Sequence, residues 1–290
     1  MSIPPLALLL VVASSLGWAG FDLLRKLLVK EIPPVALVFL QTAAGTPLFA
    51  AWMVASGAAR VEPGYWVPAL ASVGLNVVAN LLFLEGMRIA PLSVTVPLLS
   101  LTPVFATLLA IPLLGERPSL QATVGILLVI AGALWLNWQP RQTGSLEDHR
   151  SRFKGAVMMA LTALFWSLTI PLDKLALERA TAQLHGVTLN AGVAVCVFVV
   201  LVAQRRLGDL AALRRVPGLF VTGMVVSFLA LALQLLALPM VFVGTVETLK
   251  RGIGNFMALI SGWIFFRERV TVYKVLAVAL MAVGVGLILT

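Results

Sequence analysis

Residues 246–252 read Val-Glu-Thr-Leu-Lys-Arg-Gly, and they lie inside an apolar stretch that runs from about residue 240 to residue 266. Lys250 and Arg251 therefore occupy the middle of a segment long enough to cross a bilayer, which takes roughly 20 apolar residues. A Lys or Arg at the centre of such a helix costs roughly 2.5–3.5 kcal/mol on insertion scales. Charges at that depth usually face the interior of a helical bundle and mark a path for a substrate or ion. The stretch predicts a helical membrane protein with a charged site inside it.

The composition of the chain indicates the same class of protein. Of its 290 residues, 60% are hydrophobic and 11% are charged, and the mean hydropathy is +1.03. A soluble domain carries about 25% charged residues, so this chain has too few to cover a water-facing surface. The net charge of +9 does not indicate nucleic acid as a partner, because the basic residues cluster in short connections between apolar runs. Cys196 is the single cysteine, so no intramolecular disulfide can form.

Hydropathy predicts an all-α polytopic membrane protein with ten transmembrane helices. We expect residues 1–139 to form a first repeat (helices 1–5), residues 140–152 a polar cytoplasmic linker, and residues 153–290 a second repeat (helices 6–10). The predicted spans are residues 4–25, 34–56, 66–88, 92–114, 119–138, 154–174, 182–203, 216–237, 241–265 and 271–289.

Three features recur in the same order in both halves: a Trp eight residues before a Lys, a Glu at the end of the fourth helix, and a Gly sixteen residues after that Glu. They are Trp18, Lys26, Glu116 and Gly132 in the first half, and Trp166, Lys174, Glu268 and Gly284 in the second. This order indicates a duplication of five helices. Because five is odd, the second copy must enter the membrane in the opposite sense, which makes the repeats inverted.

Basic residues in the connections give a separate indication of topology. With the amino terminus outside, the cytoplasmic connections hold twelve Lys or Arg and the opposite connections hold three. Lys and Arg are enriched on the cytoplasmic side, so both termini are expected on the non-cytoplasmic side of the cell (inner) membrane. The twelve are Lys30, Arg88, Arg141, Arg150, Arg152, Lys154, Arg205, Arg206, Arg214, Arg215, Arg267 and Arg269, and the three are Arg60, Arg117 and Arg179.

Helices 3 and 4 carry a resemblance to a known family. Residues 82–93 (LFLEGMRIAPLS), 98–105 (LLSLTPVF) and 114–117 (LGER) resemble the EamA domain of the drug/metabolite transporter superfamily, and the second half repeats the pattern more loosely. The resemblance covers nearly the whole chain. It implies ten helices in two inverted repeats, a central cavity, and secondary transport by alternating access.

Helix 9 departs from the usual EamA pattern. Where helix 4 has residues 100–103 (Ser-Leu-Thr-Pro), helix 9 has residues 252–255 (Gly-Ile-Gly-Asn), preceded by Lys250 and Arg251. A basic residue here is similar to the sugar-phosphate and nucleotide-sugar branches of the superfamily, where a Lys-Arg pair or a Lys holds the phosphate of the substrate. The resemblance implies that Lys250 and Arg251 bind a phosphate or carboxylate.

Glu247 leaves a structural alternative open. It lies three residues before Lys250 and four before Arg251, hence on the same helix face. Glu247 could neutralise one cation as a structural ion pair, or hold both cations until a substrate displaces it.

Other polar and aromatic positions are candidate substrate contacts. Asn76 and Asn80 share one face of helix 3, and Trp18 and Trp166 hold matching positions in helices 1 and 6. Their alternatives are hydrogen bonds between helices for the amides and core packing for the tryptophans. A further set of charged residues near helix ends can reach the membrane interface and is expected to form local ion pairs or gate contacts, with contact to the substrate as the alternative. Its members are Asp22, Arg25, Lys26, Asp173 and Lys174.

These residues favour a transporter of a small anionic metabolite, with a lipid bilayer around it and a proton or a counter-substrate as the coupling partner. The alternatives are an exporter of amino acids or other amphipathic metabolites and, more remotely, a lipid scramblase. An enzyme is not expected, and neither is a cofactor or a metal site. Of the two histidines, His149 lies in the linker, and His185 has no carboxylate or cysteine at metal-motif spacing. His185 is interpreted as a satisfied interface residue, with a proton carrier as its alternative. Glu116 and Glu268 are interpreted as interfacial caps.

Overall fold

The computed structural model describes residues 4–89, 99–136, 146–266 and 272–289. Within these ranges the chain forms ten α-helices and two short 3-10 helices. The only strand pairing in the described ranges is an isolated bridge between Val61 and Ala180. The α-helices are α1 (Pro5–Glu31), α2 (Pro34–Ser56), α3 (Trp66–Ile89), α4 (Thr102–Leu114), α5 (Leu120–Leu136), α6 (Leu146–Leu177), α7 (Ala182–Ala203), α8 (Pro217–Ala237), α9 (Val243–Phe266) and α10 (Val272–Leu289), and the 3-10 helices are Leu207–Arg215 and Leu238–Met240.

The helices and their surface are those of an integral membrane protein. By length and composition, α1, α2, α3, α6, α7 and α8 are able to cross a membrane, and α4, α5 and part of α10 are shorter apolar helices. Large apolar side chains face outward, among them Val54, Val67 and Leu120, the last 82% exposed. The count of ten spans, the choice of membrane and the side of the termini stay predictions.

Proline and glycine set several helix boundaries. Pro5, Pro34 and Pro217 stand in the first turns of α1, α2 and α8, where the missing N–H of proline leaves no hydrogen bond unmade. Gly57 and Gly115 follow α2 and α4 with φ of 61° and 66°. Glycine is favoured there because it has no Cβ to oppose left-handed backbone.

Helices of the two halves pack in matching pairs. The third helix of each half packs extensively against the first helix of the other, α3 on α6 and α8 on α1, while α2 packs on α7 and α5 on α10. The α5–α10 pair is closest at two glycines. A Cβ added to Gly125 or to Gly284 would lie 2.6 Å from the carbonyl oxygen of the other, so only glycine permits this approach.

Loops of the two halves are joined at one face of the molecule. Thr181 N donates to Arg60 O at 3.2 Å, and Glu62 N donates to Arg179 O at 2.7 Å. These bonds bring residues 57–65, between α2 and α3, beside residues 178–181, between α6 and α7. We call this face the α2–α3 face. The end of the second helix of one half therefore lies beside the end of the first helix of the other.

Two boundaries differ from the predicted ones. Helix α1 continues to Glu31 rather than ending near residue 25, so Asp22, Arg25 and Lys26 lie well within it. Helix α6 begins at Leu146, so the predicted linker 140–152 is helical in its second half. In both places the charged residues lowered the hydropathy without interrupting the helical backbone.

Candidate substrate cavity

A cavity of about 550 Å³ lies between helices of both halves. Six of the seven predicted site residues line it, namely Trp18, Asn76, Asn80, Trp166, Lys250 and Arg251. Further lining side chains include Asp22, Arg25, Lys26, Gln41, Phe83, Asp173, Asn190, Ser227, Gln234 and Asn255. The structure thus brings the predicted residues to one chamber, while their contact with a substrate stays a prediction.

The two cations of α9 face the cavity with a buried carboxylate behind them. The side chains of Lys250 and Arg251 are 16% and 14% exposed, whereas Glu247 is 0% exposed and is not part of the cavity wall. Lys250 Nζ forms an ion pair with Glu247 Oε1, and Arg251 Nε lies 4.0 Å from Glu247 Oε2. This carboxylate serves both cations because the three residues share one helix face. One positive charge of the trio remains uncompensated.

Each cation lies over one of the two matching tryptophans. Lys250 Nζ is 5.9 Å from the centroid of the Trp18 ring, and Arg251 Cζ is 5.8 Å from that of Trp166. Both distances are within the range of cation–π attraction. Trp166 also packs on Phe83 at 4.9 Å between centroids. The tryptophans are therefore cavity walls, not only core packing.

The side chains of Asn76 and Asn80 form hydrogen bonds to the backbone of their own helix, α3. Asn76 Nδ2 donates to Ser72 O at 3.1 Å, and Asn80 Nδ2 donates to Asn76 O at 2.8 Å. Asn80 Oδ1 accepts a hydrogen bond from Arg25 Nη2 of α1 at 3.1 Å. Asn80 thus forms a hydrogen bond between helices, which was the alternative to contact with a substrate. Both amides also border the cavity.

Arg25 lines the cavity and forms the local ion pair that the sequence predicted, with Nη1 3.9 Å from Asp22 Oδ1. Its expected position near the membrane interface is wrong, because it is 8% exposed inside the bundle and stacks on Phe21, with Cζ 4.4 Å from the ring centroid. Its Nε donates to Gln41 Oε1 at 3.4 Å. A signal was present in the chain, because Arg25 follows Trp18 by seven residues, which is two helical turns on the same face.

Asp173 likewise lies inside the bundle rather than at the membrane interface. It stands seven residues after Trp166, is 4% exposed, and lines the cavity. The two halves therefore place an Arg and an Asp at corresponding positions.

Lys174 and Glu116 join the two halves near the α2–α3 face. Lys174 Nζ donates to Glu116 Oε1 at 2.7 Å and to Val241 O at 2.6 Å. Val243 N donates to Glu116 Oε2 at 2.8 Å, so Glu116 caps the start of α9, as its interpretation as a cap predicted. Its counterpart Glu268 lies outside the described residues.

These features define a class of protein. An almost wholly helical membrane chain, built from two sequence repeats around a cavity with charged and amide side chains in its wall, has the organisation of a helical membrane transporter. The model of the EamA-like transporter family matches residues 5–138 and 153–290, and the chain belongs to that family, within the drug/metabolite transporter superfamily.

Comparison with solved structures supports the same fold. One chain, described only as a crystal structure of a protein, superposes with a TM-score of 0.71 at 17% sequence identity. The match covers 97% of this chain and 96% of the other. No curated protein sequence matches this chain.

Proposed function

We propose that this protein is a secondary transporter of a small metabolite that carries a phosphate or carboxylate group, bound by Lys250 and Arg251. The observation that carries the proposal is the position of these two cations: adjacent on α9, bordering a cavity of about 550 Å³, with one shared carboxylate behind them. Cavities of roughly 300–1,000 Å³ suit small-molecule ligands.

The charge balance of the site favours an anion. Glu247 supplies one negative charge to two cations, and unpaired charges away from bulk water are costly. Arg251 Nε is buried and donates to no described residue, so this guanidinium is not committed to a hydrogen bond within the described chain. Arg provides a planar fork for an oxyanion and Lys a compact charge. An anionic group placed between them completes the balance.

The aromatic walls support a substrate with a flat or ring-shaped body. Trp18 and Trp166 lie beside the two cations, so a molecule anchored there by its anionic group would extend along both indole faces. Asn76 and Asn80 border the same space and offer amide groups to hydroxyls of the substrate.

Transport by alternating access follows from the repeat arrangement that we propose. The pairing of residues 57–65 with residues 178–181 supports inverted repeats, because parallel copies would place these two helix ends on opposite faces. The Glu116–Lys174 bond adds a second link between the halves on this side. Opening the cavity toward the α2–α3 face would require these links to separate, while rocking of the repeats exposes the site to each side in turn.

A zwitterionic amino acid is the second candidate substrate. Asp22 lines the cavity and lies within electrostatic reach of Lys250 and Arg251. An amino acid would place its carboxylate at the α9 cations and its ammonium group at Asp22. This arrangement supports the role of exporter of amino acids or other amphipathic metabolites.

Uptake by reconstituted proteoliposomes tests both candidates. Radiolabelled glycerol 3-phosphate and leucine serve as the phosphate-bearing and zwitterionic probes, and thermal stabilisation of the purified protein extends the screen to further compounds. Each lost charge-assisted hydrogen bond costs roughly 1.5–3 kcal/mol, so Lys250→Gln or Arg251→Gln should weaken binding of the transported probe roughly 10- to 150-fold.

Arg214→Gln is the matched control, since Arg214 is an exposed cation of the 3-10 helix Leu207–Arg215. It should transport like the parent protein. Equal uptake by the parent and by both α9 variants would remove the proposed site.

A further inference from the structure

A second polar cluster lies where α3, α6 and α7 meet. Asp173 Oδ1 accepts a hydrogen bond from Ser72 Oγ and lies 3.1 Å from His185 Nε2. His185 Nδ1 lies 3.1 Å from the hydroxyl of Tyr65. Asp173 is 4% exposed and the other three side chains are 0% exposed. A buried carboxylate and a buried imidazole thus form one hydrogen-bonded chain with a phenol.

The charged side chains of Asp22, Arg25, Lys26, Lys250 and Arg251 line the same cavity as Asp173. On α6 itself, the adjacent Lys174 directs its ammonium group to Glu116, which follows α4, and to Val241 O. Arg179, at the end of α6, donates to Leu175 O. Among the described residues, no Lys or Arg forms an ion pair with Asp173, and His185 is its single ionisable partner. Whether an opposite charge pairs with this carboxylate therefore depends on whether the imidazole carries one proton or two.

The partners of His185 favour one neutral tautomer, because a carboxylate such as that of Asp173 only accepts hydrogen bonds. Burial raises the pKa of Tyr65 to about 12, and the charge of Asp173 acts in the same direction. The phenol therefore stays protonated and can donate a hydrogen bond to His185 Nδ1. The neutral ring then carries its proton on Nε2, directed at Asp173 Oδ1.

The cluster extends from the cavity toward the α2–α3 face. Asp173 lines the cavity, whereas Tyr65 belongs to the segment between α2 and α3 and packs on Trp66, which is 54% exposed. Asn76, another cavity residue, donates to Ser72 Oγ at 3.3 Å. The substrate chamber and the cluster therefore share one hydrogen-bond network that crosses from the first repeat to the second.

We propose that His185 and Asp173 form a proton-binding site that couples transport to a proton gradient. One proton from water adds to His185 Nδ1, and the Tyr65 hydroxyl turns from donor to acceptor. The Nε2–H···Oδ1 contact becomes an imidazolium–carboxylate ion pair that joins α6 to α7, while Asp173 stays bonded to Ser72 of α3. Protonation thus strengthens the contacts near the α2–α3 face, and proton release weakens them. The inference rests on the proposed transport activity but not on the identity of the substrate.

Proton binding can be measured without any substrate. The chain has two histidines, so the full-length protein labelled with ¹⁵N-histidine shows two imidazoles, and His149→Gln assigns the remaining one to His185. As the pH falls from 8 to 5, His185 should gain a second N–H signal. In Asp173→Asn this change should occur at a different pH, because the opposite charge beside Nε2 is lost. A ring that stays neutral over the whole range in the parent protein would overturn the proposal.

Coupling to conformation has a separate measurement. Ala180 is 4% exposed beneath the α2–α3 face. A thiol placed there by Ala180→Cys, in a Cys196→Ser background, reacts with a maleimide when that face opens, so the labelling rate reports the opening. Ser56→Cys, exposed on the same side, corrects for the chemistry of the thiol. The corrected rate should rise at least about tenfold between pH 5 and pH 8, and His185→Gln should abolish this dependence. An equal dependence in the variant would refute coupling through His185.

These two readouts separate the failure of this inference from failure of the proposed function. The uptake screen tests transport at Lys250 and Arg251, whereas the histidine spectra and the labelling rates test the proton site in the absence of substrate.

Discussion

Substitution of Glu247 is the most direct test of the charge balance in the cavity. Glu247→Gln keeps the size of the side chain and removes the negative charge that lies behind Lys250 and Arg251. Because Glu247 is 0% exposed and both cations border the cavity, the change leaves two positive charges facing a bound anion. Affinity for an anionic substrate should therefore rise, while the unliganded protein loses stability.

The distance between charges supplies the magnitude. Glu247 Oε2 lies 4.0 Å from Arg251 Nε, and an anion bound on the far side of the guanidinium would lie at about twice that distance. At ~8 Å and an effective dielectric constant of ~20, the repulsion between the two anions is about 2 kcal/mol. Its removal corresponds to roughly 30-fold tighter binding.

Isothermal titration of purified protein with glycerol 3-phosphate measures this change, and the melting temperature without ligand measures the loss of stability. Glu85→Gln is the matched control, because Glu85 and Arg88 form an i,i+3 pair on α3 that is exposed and away from the cavity wall. It should change stability by only about 0.3–0.5 kcal/mol and leave the affinity unaltered. Unchanged affinity in a normally folded Glu247→Gln protein would refute the account of Glu247 as a competitor of the substrate.

Two further predictions concern how the repeats are held together. Gly125→Ala should destabilise the protein by about 1–3 kcal/mol, because its Cβ would lie 2.6 Å from Gly284 O. Thermal melting measures this loss of stability, with Gly218→Ala as the control because its added Cβ meets open space. Equal melting temperatures of the two variants would contradict the prediction. Glu116→Gln should cost about 3–5 kcal/mol by leaving Lys174 without its carboxylate, and the double variant with Lys174→Met should recover much of that loss in the same assay. A double variant no more stable than the single one would show that the ion pair is not the cause.

Local signals in the sequence identified the α9 residues that border the cavity, while their binding of a substrate stays a prediction. Lys250 and Arg251 stand out against an apolar background, and Trp18 and Trp166 have matching distances to Lys26 and Lys174 in the two halves. A duplication places equivalent residues at equivalent depths. Even so, the pairing of one tryptophan with each cation depends on how α1, α6 and α9 cross, which no spacing along the chain records.

Arg25 shows why the sequence analysis placed some cavity residues near the end of a helix. Hydropathy falls at residues 22–26, and an isolated helix in lipid would place such residues at its end. In the folded protein, Gln41 and Asn80 from α2 and α3 accept hydrogen bonds from the guanidinium, so the charge is stable inside the bundle and α1 continues to Glu31. The partners that solvate a buried charge come from other helices, and hydropathy along one helix cannot include them.

From its residues alone, this chain is a helical membrane protein with a twofold repeat and a buried pair of cations, since hydropathy, spacing and charge depend on composition and local order. The cavity, the complete burial of Glu247, and the chain of hydrogen bonds through Tyr65, His185 and Asp173 emerge only on folding. Each of them depends on helices that are far apart in the sequence, so packing between helices determines it.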